Sequence, residues 1–130
     1  MDTSDTTALG HQARGPVDRL DVIPTDGVEH LTEVTFHSDE VTSVCPVTWQ
    51  PDLSSVTITY VPAQGRLIES KSLKLYLWGF RDRGIFCEQL ASEVAERVAT
   101  DAQPATVTVV VRQAIRGGIV TTASARVDAG

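Results

Sequence analysis

The chain has 130 residues, 42% of them hydrophobic and 22% charged, which is typical of one soluble domain. Its formal net charge of −6 argues against direct nucleic-acid binding, so any anion must bind at a local basic patch. No apolar run approaches the roughly 20 residues that span a bilayer, and no signal peptide is visible, so we expect a cytoplasmic protein without a membrane partner.

The N-terminal part of the chain predicts an arm followed by a strand. Residues 1–27 are rich in Asp, Thr, Gly and Pro and have little periodicity, so we expect a flexible or loosely docked arm. The remaining residues, 28–130, are then a single domain. Alternation of apolar and polar residues predicts a first strand near residues 31–37.

A second strand is predicted at residues 55–61, where Val, Ile and Tyr alternate with Thr. Between the two strands, residues 38–54 contain two prolines and show no period, which predicts a long loop. Long loops in small domains are usually functional or disordered, and this one contains Cys45 and Asp52.

The centre of the chain predicts a helical region over residues 72–100. Leu73, Tyr76, Leu77 and Phe80 recur at helical spacing and would share one buried face. Because about thirty residues is long for one globular helix, Gly84 predicts a break or kink.

Two further strands close the chain, over residues 107–112 and 119–125, with a turn at residues 116–118. The predicted order is therefore β-β-α-α-β-β, an α+β fold with two helices on one face of an antiparallel sheet. Because a four-stranded sheet exposes two edges and a bare face, we expect a homo-oligomer joined edge to edge.

Cys45 and Asp52 are the first candidates for chemistry. A thiol on a loop is nucleophilic when its pKa is lowered by a cation or an acid–base partner, and Asp52 could carry the proton. Alternatively, Cys45 is a buried apolar-like residue and Asp52 a turn former, the commoner fate of such residues.

Basic residues on the predicted helix and at the turn near residue 116 are the second candidate. Lys71, Lys74 and Arg116 could form an anion site that the backbone at Gly117 can approach closely. Alternatively, they are a solvated helix face and an ordinary Gly-Gly hairpin turn. The three histidines all lie toward the N-terminus, so no metal site is expected.

Four pieces of the sequence together resemble one family. They are CPVTWQPD at 45–52, IESKSLKLYLWGFRDRG at 68–84, FCE at 86–88 and IRGGI at 115–119. In this order and spacing they resemble the QueF family, the NADPH-dependent nitrile reductases of queuosine biosynthesis, over about residues 41–120. The resemblance implies a tunnelling fold (T-fold), whose β-β-α-α-β-β units associate into a barrel built from pentameric or similar rings.

The resemblance also implies a reaction and its two catalytic residues. The family reduces 7-cyano-7-deazaguanine to 7-aminomethyl-7-deazaguanine and consumes two NADPH, without a metal. Cys45 matches the nucleophile that adds to the nitrile carbon and forms a covalent thioimide. Asp52 matches the acid that protonates the developing nitrogen anion and helps to activate the thiol.

The binding residues follow from the same resemblance. The positions that match contacts to the deazapurine base are Ile68, Glu69, Ser70, Cys87 and Glu88. The positions that match contacts to the dinucleotide are Lys71, Lys74, Arg116 and Gly117. Of these, Glu88 would accept hydrogen bonds from the ring N–H and amino group of the base.

Two positions depart from the family pattern. Cys87 stands where the family usually has a histidine, and Trp49 stands where a glycine is common. Cys87 is then either an inert packed thiol or an adaptation to altered chemistry. Two rival functions stay open: an amidinotransferase that uses the same thioimide, and a protein that binds a deazapurine or pterin without turning it over.

Overall fold

The computed structural model describes residues 14–129. In this part of the chain the elements are β1 (Val22–Pro24), β2 (Val34–Val44), β3 (Pro51–Val61), β4 (Arg66–Ile68), α1 (Ser70–Trp78), α2 (Cys87–Ala102), β5 (Thr106–Arg116) and β6 (Ile119–Asp128).

The main sheet is antiparallel and has the strand order β2-β3-β5-β6. A separate two-stranded ribbon joins β1 to β4. The predicted α+β fold with its β-β-α-α-β-β order is therefore confirmed, and β1 and β4 are short additions to it. No helix described here is long and apolar enough to cross a membrane.

The core lies between the sheet and the two helices. Its largest contributions come from alternate residues of β3 and β5 and from the four-residue apolar row of α2: Val56, Ile58, Tyr60, Val107, Val109, Val111, Leu90, Val94 and Val98. Each of these side chains is buried, and full burial of such a side chain contributes about 1.5–3 kcal/mol. This core fixes which face of the sheet the helices cover.

The long loop predicted over residues 38–54 is wrong. β2 continues to Val44 and β3 already begins at Pro51, so only six residues connect them. Two features hid the strands from the sequence pattern. The register of β2 against β3 shifts between Ser38 and Val41, which breaks the alternation. Beyond the shift, several inward-facing residues are polar.

The helical region divides more sharply than predicted. α1 ends at Trp78 and α2 begins at Cys87, so the break expected at Gly84 is a connection of eight residues. α1 begins at Ser70 because the Glu69 carboxylate accepts hydrogen bonds from the backbone N–H groups of Lys71 and Ser72, at 2.8 and 2.7 Å.

The N-terminal segment is docked on the domain where the structure describes it. Leu20 is buried, its backbone N–H donates to the Asp101 carboxylate at 2.8 Å, and β1 follows directly. The Asp21 backbone N–H also donates to Ser72 Oγ at 2.9 Å. The first half of the predicted arm, residues 1–13, lies outside the described residues, and the domain boundary at residue 28 stays a prediction.

Tyr60 links the main sheet to the start of α1, which gives a stability prediction. Its buried hydroxyl accepts a hydrogen bond from the Ile68 backbone N–H at 2.9 Å. Tyr60→Phe should leave that N–H without a hydrogen-bond partner. We expect the free energy of unfolding to fall by about 1–3 kcal/mol. We expect Tm to fall by roughly 5–10 °C in thermal unfolding followed by circular dichroism.

Tyr76→Phe is the matched control for this prediction. Tyr76 is as deeply buried, but within residues 14–129 its hydroxyl makes no hydrogen bond of ordinary geometry. Its removal should therefore change Tm much less. Equal losses of Tm in the two variants would contradict the role assigned to the Tyr60 hydroxyl.

Candidate active site

One end of the main sheet carries buried polar side chains on the face that elsewhere forms the core. Ser43, Asp52 and Ser54 are all less than 5% exposed. Ser43 lies directly opposite Asp52 in the β2–β3 register. Burial of a carboxylate costs free energy unless it is paired, and Asp52 is paired with Arg116. This end of the sheet therefore holds a polar cluster in place of apolar core packing.

Cys45 follows β2 at the same end of the sheet. Its backbone N–H donates to the Gln50 carbonyl at 2.9 Å, and its carbonyl accepts from the Trp49 N–H at 2.8 Å, which closes a tight loop. Only Val44 separates it from Ser43, the direct partner of Asp52. In regular antiparallel geometry such diagonal neighbours lie on one face with Cα atoms about 7–8 Å apart. The structure therefore brings the two predicted catalytic residues together.

The loop lowers the pKa of the half-buried Cys45 thiol. The largest cause is a hydrogen bond from the Thr48 side chain, and the backbone N–H groups of Thr48 and Val47 add to it. Burial and the negative charge of Asp52 act in the opposite direction but are weaker. A lowered pKa increases the thiolate fraction near neutral pH, and the thiolate is the nucleophile.

Thr48→Val should remove the main cause of this shift. The pKa of Cys45 should rise, so the rate of alkylation by iodoacetamide near neutral pH should fall severalfold and its pH profile should move to higher pH. Thr122→Val, on the exposed side of β6, is the matched control and should leave the profile unchanged. An unaltered profile in Thr48→Val would contradict the assigned cause.

Asp52 forms an ion pair with Arg116 at the end of β5. The Arg116 Nη1 donates to the carboxylate, and Nη2 lies 3.4 Å from the Pro51 carbonyl oxygen. A two-residue turn follows, with Gly117 and Gly118 at φ of 56° and 78°. Positive φ at both positions is typical of a type I′ hairpin turn. Gly117 thus shapes the turn that holds Arg116, and its contact with a dinucleotide stays a prediction.

Cys87 is a packed thiol below the same end of the sheet. It is buried at the start of α2, and its Sγ donates a weak hydrogen bond to the Val111 carbonyl at 3.6 Å. Burial is the main cause that raises its pKa, and the charge of Glu88 adds to it. The next residue, Glu88, is exposed in the first turn of α2. The lowered pKa of Cys45 and the raised pKa of Cys87 therefore favour Cys45 as the nucleophile.

The predicted base-binding segment lies elsewhere in the protomer. The backbone N–H of Ile68 is hydrogen-bonded to the Tyr60 hydroxyl. Tyr60 lies eight residues along β3 from Asp52, which is about 26 Å of extended chain. Both carboxylate oxygens of Glu69 cap α1, and Ser70 is exposed beside them. Within one protomer these residues are therefore far from Cys45.

The two lysines predicted to bind the cofactor lie close in sequence to the Ile68–Ser70 segment. Lys71 and Lys74 lie on α1, and Lys74 is exposed. Together with Ser70 and Trp78, Lys74 lines a groove of about 410 Å³ between α1 and β2. That volume is within the range of small-molecule sites. In contrast, Arg116 lies at the same end of the sheet as Cys45 and forms an ion pair with Asp52.

Sequence reasoning missed Thr48 and the buried serines. Thr48 could have been predicted as a site residue, because it lies between Cys45 and Asp52 in the CPVTWQPD motif. Ser43 and Ser54 had none, since their burial follows from strand register. Among residues 14–129, no group of three or more His, Cys, Asp or Glu residues is arranged to hold a metal ion.

Comparisons with known proteins find relatives of one family. The family model described as "QueF-like protein" matches residues 51–129. A curated relative from Anaeromyxobacter sp. (strain Fw109-5) is 40% identical over 85% of this chain and 90% of its own. One from Syntrophus aciditrophicus (strain SB) is 39% identical over 95% of this chain and 87% of its own. Both are named NADPH-dependent 7-cyano-7-deazaguanine reductase.

A solved structure is similar as well. The archaeosine synthase QueF-Like in its apo form has a TM-score of 0.69 and 26% identity, over 76% of this chain and 95% of that chain. This likeness agrees with the tunnelling fold implied by the sequence pieces, while the barrel of subunits stays a prediction. By its family match and by relatives of about 40% identity over most of both chains, the chain belongs to the QueF-like protein family.

Proposed function

We propose that the chain reduces the nitrile of 7-cyano-7-deazaguanine to the primary amine with NADPH, as a step of queuosine biosynthesis. The observation that carries the proposal is the pairing of a half-buried thiol of lowered pKa with a buried carboxylate on one face of the sheet. The names of relatives about 40% identical to this chain support the same substrate and cofactor.

In the first step, the Cys45 thiolate attacks the nitrile carbon. A carbon–sulfur bond forms, one π bond of the nitrile breaks, and the nitrogen takes up the proton that the thiol gave up. The product is a covalent thioimide, whose C=N bond is a better hydride acceptor than the nitrile. The lowered pKa of Cys45 favours this step because it increases the thiolate population.

Asp52 is the group that moves this proton. As the ionised partner of Arg116 it can accept a proton but cannot donate one, so it first receives the thiol proton. It then gives that proton to the nitrogen, which becomes basic as the thioimide forms. The ion pair and the sheet hold the carboxylate in place throughout.

NADPH supplies the hydride, and two equivalents are needed to convert one nitrile to one amine. Departure of the Cys45 sulfur between the two reductions regenerates the thiolate, so the nucleophile is not consumed. The groove beside Lys74 carries an exposed cation that could pair with a phosphate of the cofactor. Glu88, exposed in the first turn of α2, would accept hydrogen bonds from the base.

A second copy of the chain would complete the site. Cys45 and the Ile68–Ser70 segment are too far apart in one protomer to touch one small base. β2 and β6 are the edges of the sheet, where another copy can pair. We propose that edge pairing places the Ile68–Ser70 segment of one copy next to Cys45 of its neighbour.

Subunit complementation tests this shared site. Cys45→Ala and Glu69→Gln variants, each inactive or weak alone, should regain part of the wild-type activity after unfolding and refolding together. Each variant refolded alone is the control. If the mixture is no more active than the sum of its parts although mixed oligomers form, each site lies within one chain.

The function itself is tested by cofactor oxidation. Protein, 7-cyano-7-deazaguanine and NADPH are mixed, and absorbance of the cofactor is followed with nitrile limiting. We expect two NADPH oxidised per nitrile. Binding without oxidation or covalent adduct would instead favour a binding protein, and an adduct without oxidation would favour an amidinotransferase.

A further inference from the structure

Trp49 combines two features that are unusual for a large aromatic residue. Its side chain is 67% exposed, and its backbone has φ of 62°. A bulky residue in the left-handed region is an outlier, because the Cβ atom crowds the following carbonyl. Such strained positions are concentrated at functional sites. The loop alone does not explain Trp49, since glycine would adopt this φ without strain.

The indole is held in place from two sides. The Trp49 backbone N–H is bonded to the Cys45 carbonyl at 2.8 Å, so its Cα is fixed one turn from the nucleophile. The six-membered ring of the indole lies over Gly84, where an added Cβ would be only 2.8 Å from Cζ3. Gly84 is in turn bridged to Val44, the last residue of β2. The ring therefore has a defined position over Gly84, whose backbone is bridged to the residue before Cys45.

From this placement we infer that the exposed indole of Trp49 is a wall of the substrate site, against which the flat heteroaromatic ring of the nitrile stacks. This inference deepens the proposed function and rests on it. The nitrile carbon that Cys45 attacks is bonded directly to that ring, so the ring must lie within a few ångströms of the Cys45 sulfur. Trp49 is a large exposed aromatic residue on the same tight loop as Cys45, and its backbone is hydrogen-bonded to that residue.

Stacking on the indole would also orient the reaction. A ring fixed against one wall presents its nitrile to the thiolate at a constant angle, which favours attack. The interaction does not depend on NADPH, so Trp49 should contribute to binding of the nitrile and not of the cofactor. This distinguishes it from the lysines of the groove.

Two variants test the inference by steady-state kinetics. Trp49→Gly removes the ring and relieves the backbone, whereas Trp49→Phe keeps an aromatic face. From typical base–aromatic stacking energies, we expect KM for the nitrile to rise about tenfold in Trp49→Gly and much less in Trp49→Phe. KM for NADPH should stay within about twofold in both, since the inference assigns the indole to the nitrile alone.

Thermal unfolding and sedimentation serve as controls for the same variants. Trp49→Gly should be at least as stable as the wild type, because glycine relieves the left-handed strain, and its oligomeric state should be unchanged. An unchanged KM for the nitrile, an equal rise in KM for NADPH, or a loss of oligomer in Trp49→Gly would overturn the inference.

Fluorescence gives a second readout, because Trp49 and Trp78 are the two tryptophans of the chain. In Trp78→Phe, addition of the nitrile without NADPH should quench the emission of Trp49, whereas Trp49→Phe should show little quenching. The reverse pattern would overturn the inference. If the wild type forms no covalent adduct at Cys45, the proposed function fails; if the adduct forms but these variants behave like wild type, the role of Trp49 alone fails.

Discussion

Replacing Cys45 by serine is expected to abolish reduction of the nitrile, with a loss of at least about a thousandfold in kcat/KM. A serine hydroxyl at this position is barely ionised near neutral pH, whereas the loop around Cys45 lowers the pKa of the thiol. Because Cys45 is only half-buried, the substitution should change thermal stability little. The loss would therefore reflect chemistry.

Intact mass spectrometry identifies the bond directly. Without NADPH, the wild type should gain the full mass of one nitrile per chain, since the thiol adds and nothing leaves. Cys87→Ser keeps Cys45 and should still form the adduct, because the buried Cys87 thiol has a raised pKa and should not react. An adduct on Cys45→Ser, or none on the wild type, would contradict the assignment of the nucleophile.

Replacing Asp52 by asparagine has the second largest expected effect. The amide cannot take the thiol proton, and loss of a positioned acid–base group typically lowers kcat by about 10²–10⁴-fold. The Asp52 side chain is only 4% exposed and holds Arg116, which is 38% exposed. Loss of this charged hydrogen bond should also cost about 1–3 kcal/mol of folding free energy.

Arg116→Gln separates these two effects. It keeps the carboxylate and removes its partner, so it should lose similar stability but much less activity than Asp52→Asn. Both variants are measured by NADPH oxidation and by urea unfolding. If Asp52→Asn retains more than about a tenth of wild-type activity, or if Arg116→Gln is equally impaired, Asp52 is not the proton carrier.

The order of elements could be predicted from the sequence because the core residues recur with the periods of strands and helices. Val56, Ile58 and Tyr60 alternate with threonines, and α2 repeats its apolar residues at four-residue steps. The halves of β2 and β3 nearest the site could not be predicted in this way. There the inward positions are Ser43, Asp52 and Ser54, whose burial gives no hydrophobic signal.

The candidate site was predictable in part for a similar reason. Cys45 and Asp52 are close in sequence and could be proposed together. In contrast, the pair of Asp52 with Arg116 joins residues 64 positions apart and depends on strand registers that include a shift between Gln113 and Arg116. The capping role of Glu69 depends on where α1 begins, and single-sequence patterns locate helix ends poorly.

The connection between the two helices has a consequence for how freely this sequence can change. Val44, next to Cys45, donates its N–H to the Arg83 carbonyl at 2.9 Å and accepts from the Ile85 N–H at 3.0 Å. Both bonds use backbone atoms only, so most side-chain changes at residues 81–83 leave the anchor of the nucleophile loop intact. Proline at position 85 is the exception, because it lacks the N–H. Substitutions of the surface side chains at residues 81–83 should thus leave the attachment of the loop unchanged. The surroundings of Cys45 can vary in sequence while its backbone keeps its position.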